Sequence, residues 1–263
     1  TDMTLATVEV GGKPRKVLMQ APKNGFLYVI DRATGEFISA EKVAKVTWAE
    51  RIDAKTGRPV VNPGMRYQGK PGLFEMWPGP NGAHSWMPQA YSPQTGLLYV
   101  PITDKGALIG DGQEGGAEIS AGMGVTLIPE GELEGNNKSY LKAIDPATQK
   151  EVWRVDLPGM TPGGVLATAG GLVFQGRMDG HLVAYDARTG KEVWKFKTAS
   201  PILGAPISYR VNGRQYVTVI TGTGGTGAGL QSLGNAHLRT DYRAPRQVLT
   251  FAIGGADSLP AYT

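Results

Sequence analysis

Residues 219–229 read VITGTGGTGAG, and Gly222, Gly224 and Gly227 complete a G-x-G-x-x-G pattern directly after an apolar run. Glycines without a Cβ let backbone come close to a phosphate or a flat ligand. A dinucleotide loop needs more: a helix opened by the glycines and a βαβ unit around them. The residues that follow, LQSLGNAHLRTDYRAPRQVLTFAI, carry no long helical face and soon return to a strand pattern. The spacing alone therefore does not make a dinucleotide loop. Other chemistry-bearing residues are few. His84, His181 and His237 stand far apart, so a metal site would need the fold to gather them, and no cysteine is present. That excludes a disulfide frame, a thiolate zinc site and covalent c-type haem within this stretch. Lys23, in APKNG, is a cation on a turn. His84 and Trp86 face either a substrate entrance or a packed turn.

The elements that must position these residues are set by a repeat. AIDPATQKEVW (Ala143–Trp153) and AYDARTGKEVW (Ala184–Trp194) fit one pattern and begin 41 residues apart. VIDRATGEF (Val29–Phe37) is a degraded third copy, and YSPQTGLLYVP (Tyr91–Pro101) repeats the turn and strand. Each unit reads as an apolar strand, an Asp that caps a turn by accepting its N–H groups, a glycine able to take positive φ, and a second strand. Asp145 and Asp186 are thus turn caps rather than catalytic acids. A period near forty with a closing tryptophan matches a four-stranded propeller blade. Strands are predicted at Val165–Thr168, Leu172–Gly176, Leu182–Tyr185 and within KEVWKFK, with hairpin turns at Asp179-Gly180 and Asn212-Gly213. Trp194 is predicted to pack flat between blades. Asp104–Asn137, rich in Gly and Glu, shows no period and is predicted to be a long loop insertion over one face.

Composition agrees. The 263 residues include 38 glycines and 18 prolines, more turn chemistry than a helical protein uses. The net charge of +4 comes without a dense basic stripe, which argues against nucleic acid, and no apolar run is long enough for a transmembrane helix. The N-terminal residues lack a signal-peptide pattern and an initiator methionine, and are read as those of a processed product or a fragment.

From about residue 15 to 252, four ordered segments resemble the quinoprotein alcohol dehydrogenases, which use pyrroloquinoline quinone (PQQ). They are NGFLYVIDRATG, WAERIDAKTGRPV, SPQTGLLYVP and GGVLATAGGLVFQGRMDGHLVAYDARTGKEVW. The resemblance implies an all-β chain: about four four-stranded antiparallel blades of an eight-bladed β-propeller, with residues 1–263 forming the C-terminal part of that one domain. It implies an alcohol dehydrogenase that oxidises an alcohol to an aldehyde or ketone with hydride transfer to PQQ. A periplasmic cytochrome c would take the electrons. It implies that the base, whose position falls just before Thr1, and the calcium ligands belong to a missing N-terminal half, so this stretch is expected to hold no catalytic or metal residue and to be inactive alone. Asp2 is too close to Lys23 to be that base. Residue by residue, Lys23 matches a quinone contact. Thr47 and Trp48 match an Asn-Trp pair, with Thr in place of Asn. Pro162 and Gly163 match a loop where some members place a tryptophan, and Gly224, Gly225 and Thr226 match the loop that closes the pocket. The alternative is a non-catalytic propeller scaffold of the outer-membrane assembly lipoprotein type, which keeps the repeats but lacks the APKNG, TWAERID and GTGG pieces.

Overall fold

The computed structural model describes residues 1–66, 71–111, 118–120, 123–127, 138–198, 200–222 and 245–259. Among them every regular element is a strand. The chain divides into two compact units.

The first unit holds a sheet of β1 (Thr4–Val10), β2 (Lys13–Gln20), β3 (Phe26–Asp31) and β4 (Phe37–Lys42), in that order and antiparallel throughout. Beside it in sequence is the pair β5 (Ala49–Ile52) and β6 (Pro59–Val61). A second four-stranded sheet joins β7 (Phe74–Met76), β10 (Ala107–Asp111), β12 (Met123–Leu127) and β11 (Glu118–Ser120). Segment 104–137, expected as a long loop, is therefore sheet in part. Its strands are short and glycine-interrupted, so they have no legible alternation. They are fixed by pairing, Ile109 with both Phe74 and Val125.

The second unit holds the sheet β8 (Ala90–Ser92), β9 (Leu97–Asp104), β13 (Lys138–Asp145) and β14 (Lys150–Leu157). Next comes β15 (Val165–Ala167), β16 (Leu172–Gly176), β17 (His181–Asp186) and β18 (Glu192–Lys197), then the three-stranded β19 (Ile207–Val211), β20 (Arg214–Ile220) and β21 (Val248–Ala252). The four predicted strands of the 165–197 blade are found within a residue or two of their expected ends.

Turn chemistry explains the connections. Asn212 and Gly213 sit at φ 50° and 77°, the twisted two-residue hairpin that this dipeptide favours. Asp186 Oδ1 accepts from the N–H groups of Arg188 and Thr189 and from the Thr189 hydroxyl. Asp31 and Asp53 cap their own turns in the same way. A hydrogen bond from Arg15, followed by those from the Ala33 and Thr34 N–H groups, holds the Asp31 carboxyl down at about 2.

Trp153 and Trp194 occupy equivalent repeat positions but not equivalent surroundings. Trp153 is buried, its indole donates to Ala187 O at 3.1 Å, and a Cβ on Gly190 would lie 2.6 Å from its ring. It docks on the turn of the next repeat, in a core with Tyr99, Val173 and Tyr185. Trp194, expected to pack flat, is 39% exposed. It has no such turn among the described residues; it stacks on Phe196, meets Phe251 edge-on, and borders a cavity of about 790 Å³. The three-stranded sheet is equally one-sided. Val219, Leu249 and Phe251 pack on Leu182 and Ile202, whereas Ile207, Tyr209, Val211, Ile220 and Val248 are exposed.

Lys105, in the connection between β9 and β10, is only 4% exposed, and burial lowers its ammonium to about 8. In the unfolded chain a lysine titrates near 10.4, so the unfolded state holds the proton more tightly and this group's contribution to stability rises between about pH 8 and 10.4. The parent is expected to gain stability between about pH 8 and pH 10, and Lys105→Met should lack that gain; urea unfolding of the two proteins at pH 7 and pH 10 checks this.

Candidate functional site

Strand register places the expected site residues at common sheet ends. Thr4 pairs with Met19, Gln20 with Tyr28 and Phe26 with Lys42, so the start of β1, the 21–25 turn and the end of β4 share one end of the first sheet. The Asp31-capped turn lies at the other. In the second unit Val165 pairs with Gln175, Gln175 with Val183 and His181 with Lys197. Residues 162–164, 176–181 and 197–202 therefore share one end, and the Asp186 turn lies at the opposite one. The capped turns brace one edge of each blade and leave the other to the site loops.

In the first unit the structure brings Lys23, Thr47 and Trp48 together. Asn24, which sequence reasoning passed over, is the hub. Its side chain accepts from Phe26 N–H and donates to the Tyr28 hydroxyl, and its carbonyl accepts from the Trp48 indole at 2.9 Å. Trp48 also meets Phe26 edge-on, at 6.1 Å and 83°. Trp48 thus locks the turn that carries Lys23. The Thr47 hydroxyl accepts from Trp77 N–H at 2.9 Å, which commits it to the protein's own backbone. Lys23 is exposed; its ammonium is 3.4 Å from Pro80 O and, among the described residues, meets no carboxylate at ion-pair distance. Gly82 takes φ 78°, and a Cβ there would lie 2.5 Å from Lys23 Cβ, so this glycine fixes where the lysine emerges. His84 is fully buried, 3.5 Å from Asp2 Oδ1, whereas Trp86 is exposed.

In the second unit Pro162 and Gly163 are buried. A Cβ on Gly163 would collide with Gly176 O and lie 2.8 Å from Ile202 O. Gln175 Nε2 donates to Gly163 O at 2.8 Å. Ile202 in turn bridges to Gly222, whose N–H donates to Pro201 O at 2.6 Å. Loop 162–164, the end of β16 and the start of the glycine loop thus meet at one sheet end. Gly176 and Ile202 were not expected as partners; the glycine that ends the predicted strand was the only signal. Gly224, Gly225, Thr226 and His237 lie outside the described residues. The strand before the glycine loop, β20, pairs antiparallel with β19 and β21, so no βαβ unit surrounds it and the dinucleotide reading is excluded.

In the first unit, a lysine that meets no carboxylate among the described residues suits an anionic group; in the second, the glycines at 163 and 164 leave room for a flat one. Among the described residues no cluster of three or more His, Asp, Glu or Cys side chains could hold a metal ion.

Comparison with known proteins shows the family and the fold. The family model described as outer membrane protein assembly factor BamB, of the PQQ_2 type, matches residues 137–233, less than half the chain. Quinohemoprotein alcohol dehydrogenase ADH IIB of Pseudomonas putida is 43% identical over 98% of this chain and 37% of its own length. The 1-butanol dehydrogenase (cytochrome c) of Thauera butanivorans is 40% identical over 100% of this chain and 38% of its own. The solved structure of quinohemoprotein alcohol dehydrogenase ADHIIG from P. putida HK5 superposes over 100% of this chain and 40% of its own, with a TM-score of 0.86 and 39% identity. The fold class is therefore all-β, with the four-stranded antiparallel blades of the quinoprotein propeller. Sequence and fold together place the chain in the PQQ-dependent (quinoprotein) alcohol dehydrogenase family, as a stretch spanning a little over a third of its relatives' length.

Proposed function

We propose that this chain is the part of a periplasmic PQQ- and calcium-dependent alcohol dehydrogenase that supplies one wall of the cofactor pocket. The carrying observation is Lys23, a cation with no carboxylate partner among the described residues, held on a turn locked by Trp48 and Asn24. PQQ, when bound, would accept the hydride from the alcohol carbon, with the metal ion polarising the accepting carbonyl. The Lys23 ammonium would stabilise negative charge developing on the quinone oxygens. Trp48 would keep the lysine in place, with Thr47 touching the cofactor, if at all, through atoms other than its committed hydroxyl. Pro162 and Gly163, followed by Gly224, Gly225 and Thr226, would lie against the ring by backbone and van der Waals contact.

The proton acceptor and the calcium ligands would come from the rest of the propeller. Its blades would cover the apolar face of β19, β20 and β21 and give Trp194 the turn that Trp153 already has. A scaffold role is not favoured, because the match to dehydrogenases runs over the whole chain and includes the pocket pieces. Electrons would pass to a cytochrome c. The test is turnover of a primary alcohol with PQQ, Ca²⁺ and a dye acceptor. The full-length protein should reduce the dye and the 263-residue chain alone should not; a full-length protein that neither binds PQQ nor turns over would overturn the reading.

A further inference from the structure

Loop 161–164 is fastened from behind, within its own unit, by bonds of two kinds. Two join backbone to backbone: Gly164 N–H donates to Leu203 O at 3.1 Å, and Val165 N–H to Pro88 O at 3.0 Å. Two are made by side chains of the β16–β17 hairpin. Gln175 Nε2 donates to Gly163 O at 2.8 Å, and Met178 Sδ accepts from Thr161 N–H at 3.3 Å. Gln175 is fully buried and Met178 nearly so. Backbone at Gly176 and Ile202 blocks Gly163 on one side, and the two side chains hold it against that stop.

The residue types at 175 and 178 bear on their purpose. The Gln175 amide oxygen meets no donor among the described residues, and a buried acceptor left so costs stability. Methionine would fill nearly the same volume without that cost. What glutamine adds is a donor for the Gly163 carbonyl. Met178 is the converse case. Leucine would suit a buried position as well, but only the sulfur can accept from the buried Thr161 N–H.

We infer that Gln175 and Met178 are positioning residues for the cofactor: without touching it, they set the height and tilt of the backbone face on which its ring lies. The role rests on the PQQ reading above; the clamp on the loop does not. With backbone rather than a side chain against the ring, the place of the loop sets the contact. A misplacement of about 1 Å can cost about 100-fold in rate.

Gln175→Met and Met178→Leu keep the volume and remove one bond each. In the full-length protein without cofactor, amide hydrogen exchange over residues 161–165 should quicken about five-fold or more in either variant, the size expected of one lost hydrogen bond. Unchanged exchange would overturn the clamp whether or not PQQ binds. Titrated with PQQ, Gln175→Met should bind about five-fold or more weakly than the parent, and its kcat for a primary alcohol should fall with KM for the alcohol unchanged. Gln175→Glu separates the bond from the packing. A buried carboxyl donates to Gly163 O while neutral and cannot once ionised. This variant should therefore bind PQQ like the parent at about pH 5.5 and lose that affinity by about pH 8.5. Quickened exchange with unchanged PQQ affinity, or a Gln175→Glu protein whose affinity follows the parent's at both pH values, would reject the positioning role. A parent that binds no PQQ would sink the redox reading and the positioning role with it, while the exchange result still decides the clamp.

Discussion

Gly163→Ala should destabilise the protein by at least about 3 kcal/mol and weaken cofactor binding with it. The new methyl would strike Gly176 O and crowd Ile202 O, which are backbone atoms fixed at the end of β16 and in the bridge to Gly222. A flexible side chain could swing aside, but backbone in a sheet cannot. Relief requires loop 162–164 to lift away, breaking the Gln175 bond to Gly163 O and the Gly164 N–H bond to Leu203 O. Gly204→Ala is the control, because nothing lies within 4 Å of a Cβ there; it should stay within about 0.5 kcal/mol of the parent. Urea midpoints of the two variants check this directly. Equal midpoints would mean that the loop is not pinned as described.

Lys23→Met should weaken PQQ binding by the full-length protein about 10- to 100-fold while leaving its thermal midpoint unchanged. The fold-change corresponds to losing one hydrogen bond to a charged group, about 1.5–3 kcal/mol. The midpoint should hold because the side chain is exposed and its one polar contact among the described residues is a long bond to Pro80 O. Lys23→Arg keeps the charge and should recover most of the affinity. A Lys23→Met protein that binds PQQ like the parent would reduce Lys23 to a solvated turn residue.

Much of the fold was legible because its signals are local. The Asp-x-x-Thr-Gly turns, the Asn212-Gly213 hairpin and the strand ends all follow from residues that touch their near neighbours. What escaped depends on partners distant in sequence. Trp153 and Trp194 have the same local sequence, but one finds a following turn to dock on and the other does not. The strands of segment 104–137 exist because Phe74 and Met76 offer an edge to pair with, which no pattern inside the segment announces. The site shows the same split. Lys23 and Trp48 could be singled out from their motifs. The role of Asn24 in tying them together, and the contact of Gly163 with Gly176 and Ile202, came only with the packing.

The most direct test is a crystal structure of the full-length protein loaded with PQQ. Lys23 Nζ should lie within hydrogen-bond distance of a quinone oxygen, with loop 162–164 against the ring. PQQ seated where neither Lys23 nor that loop touches it would contradict the assignment of this stretch to the pocket wall.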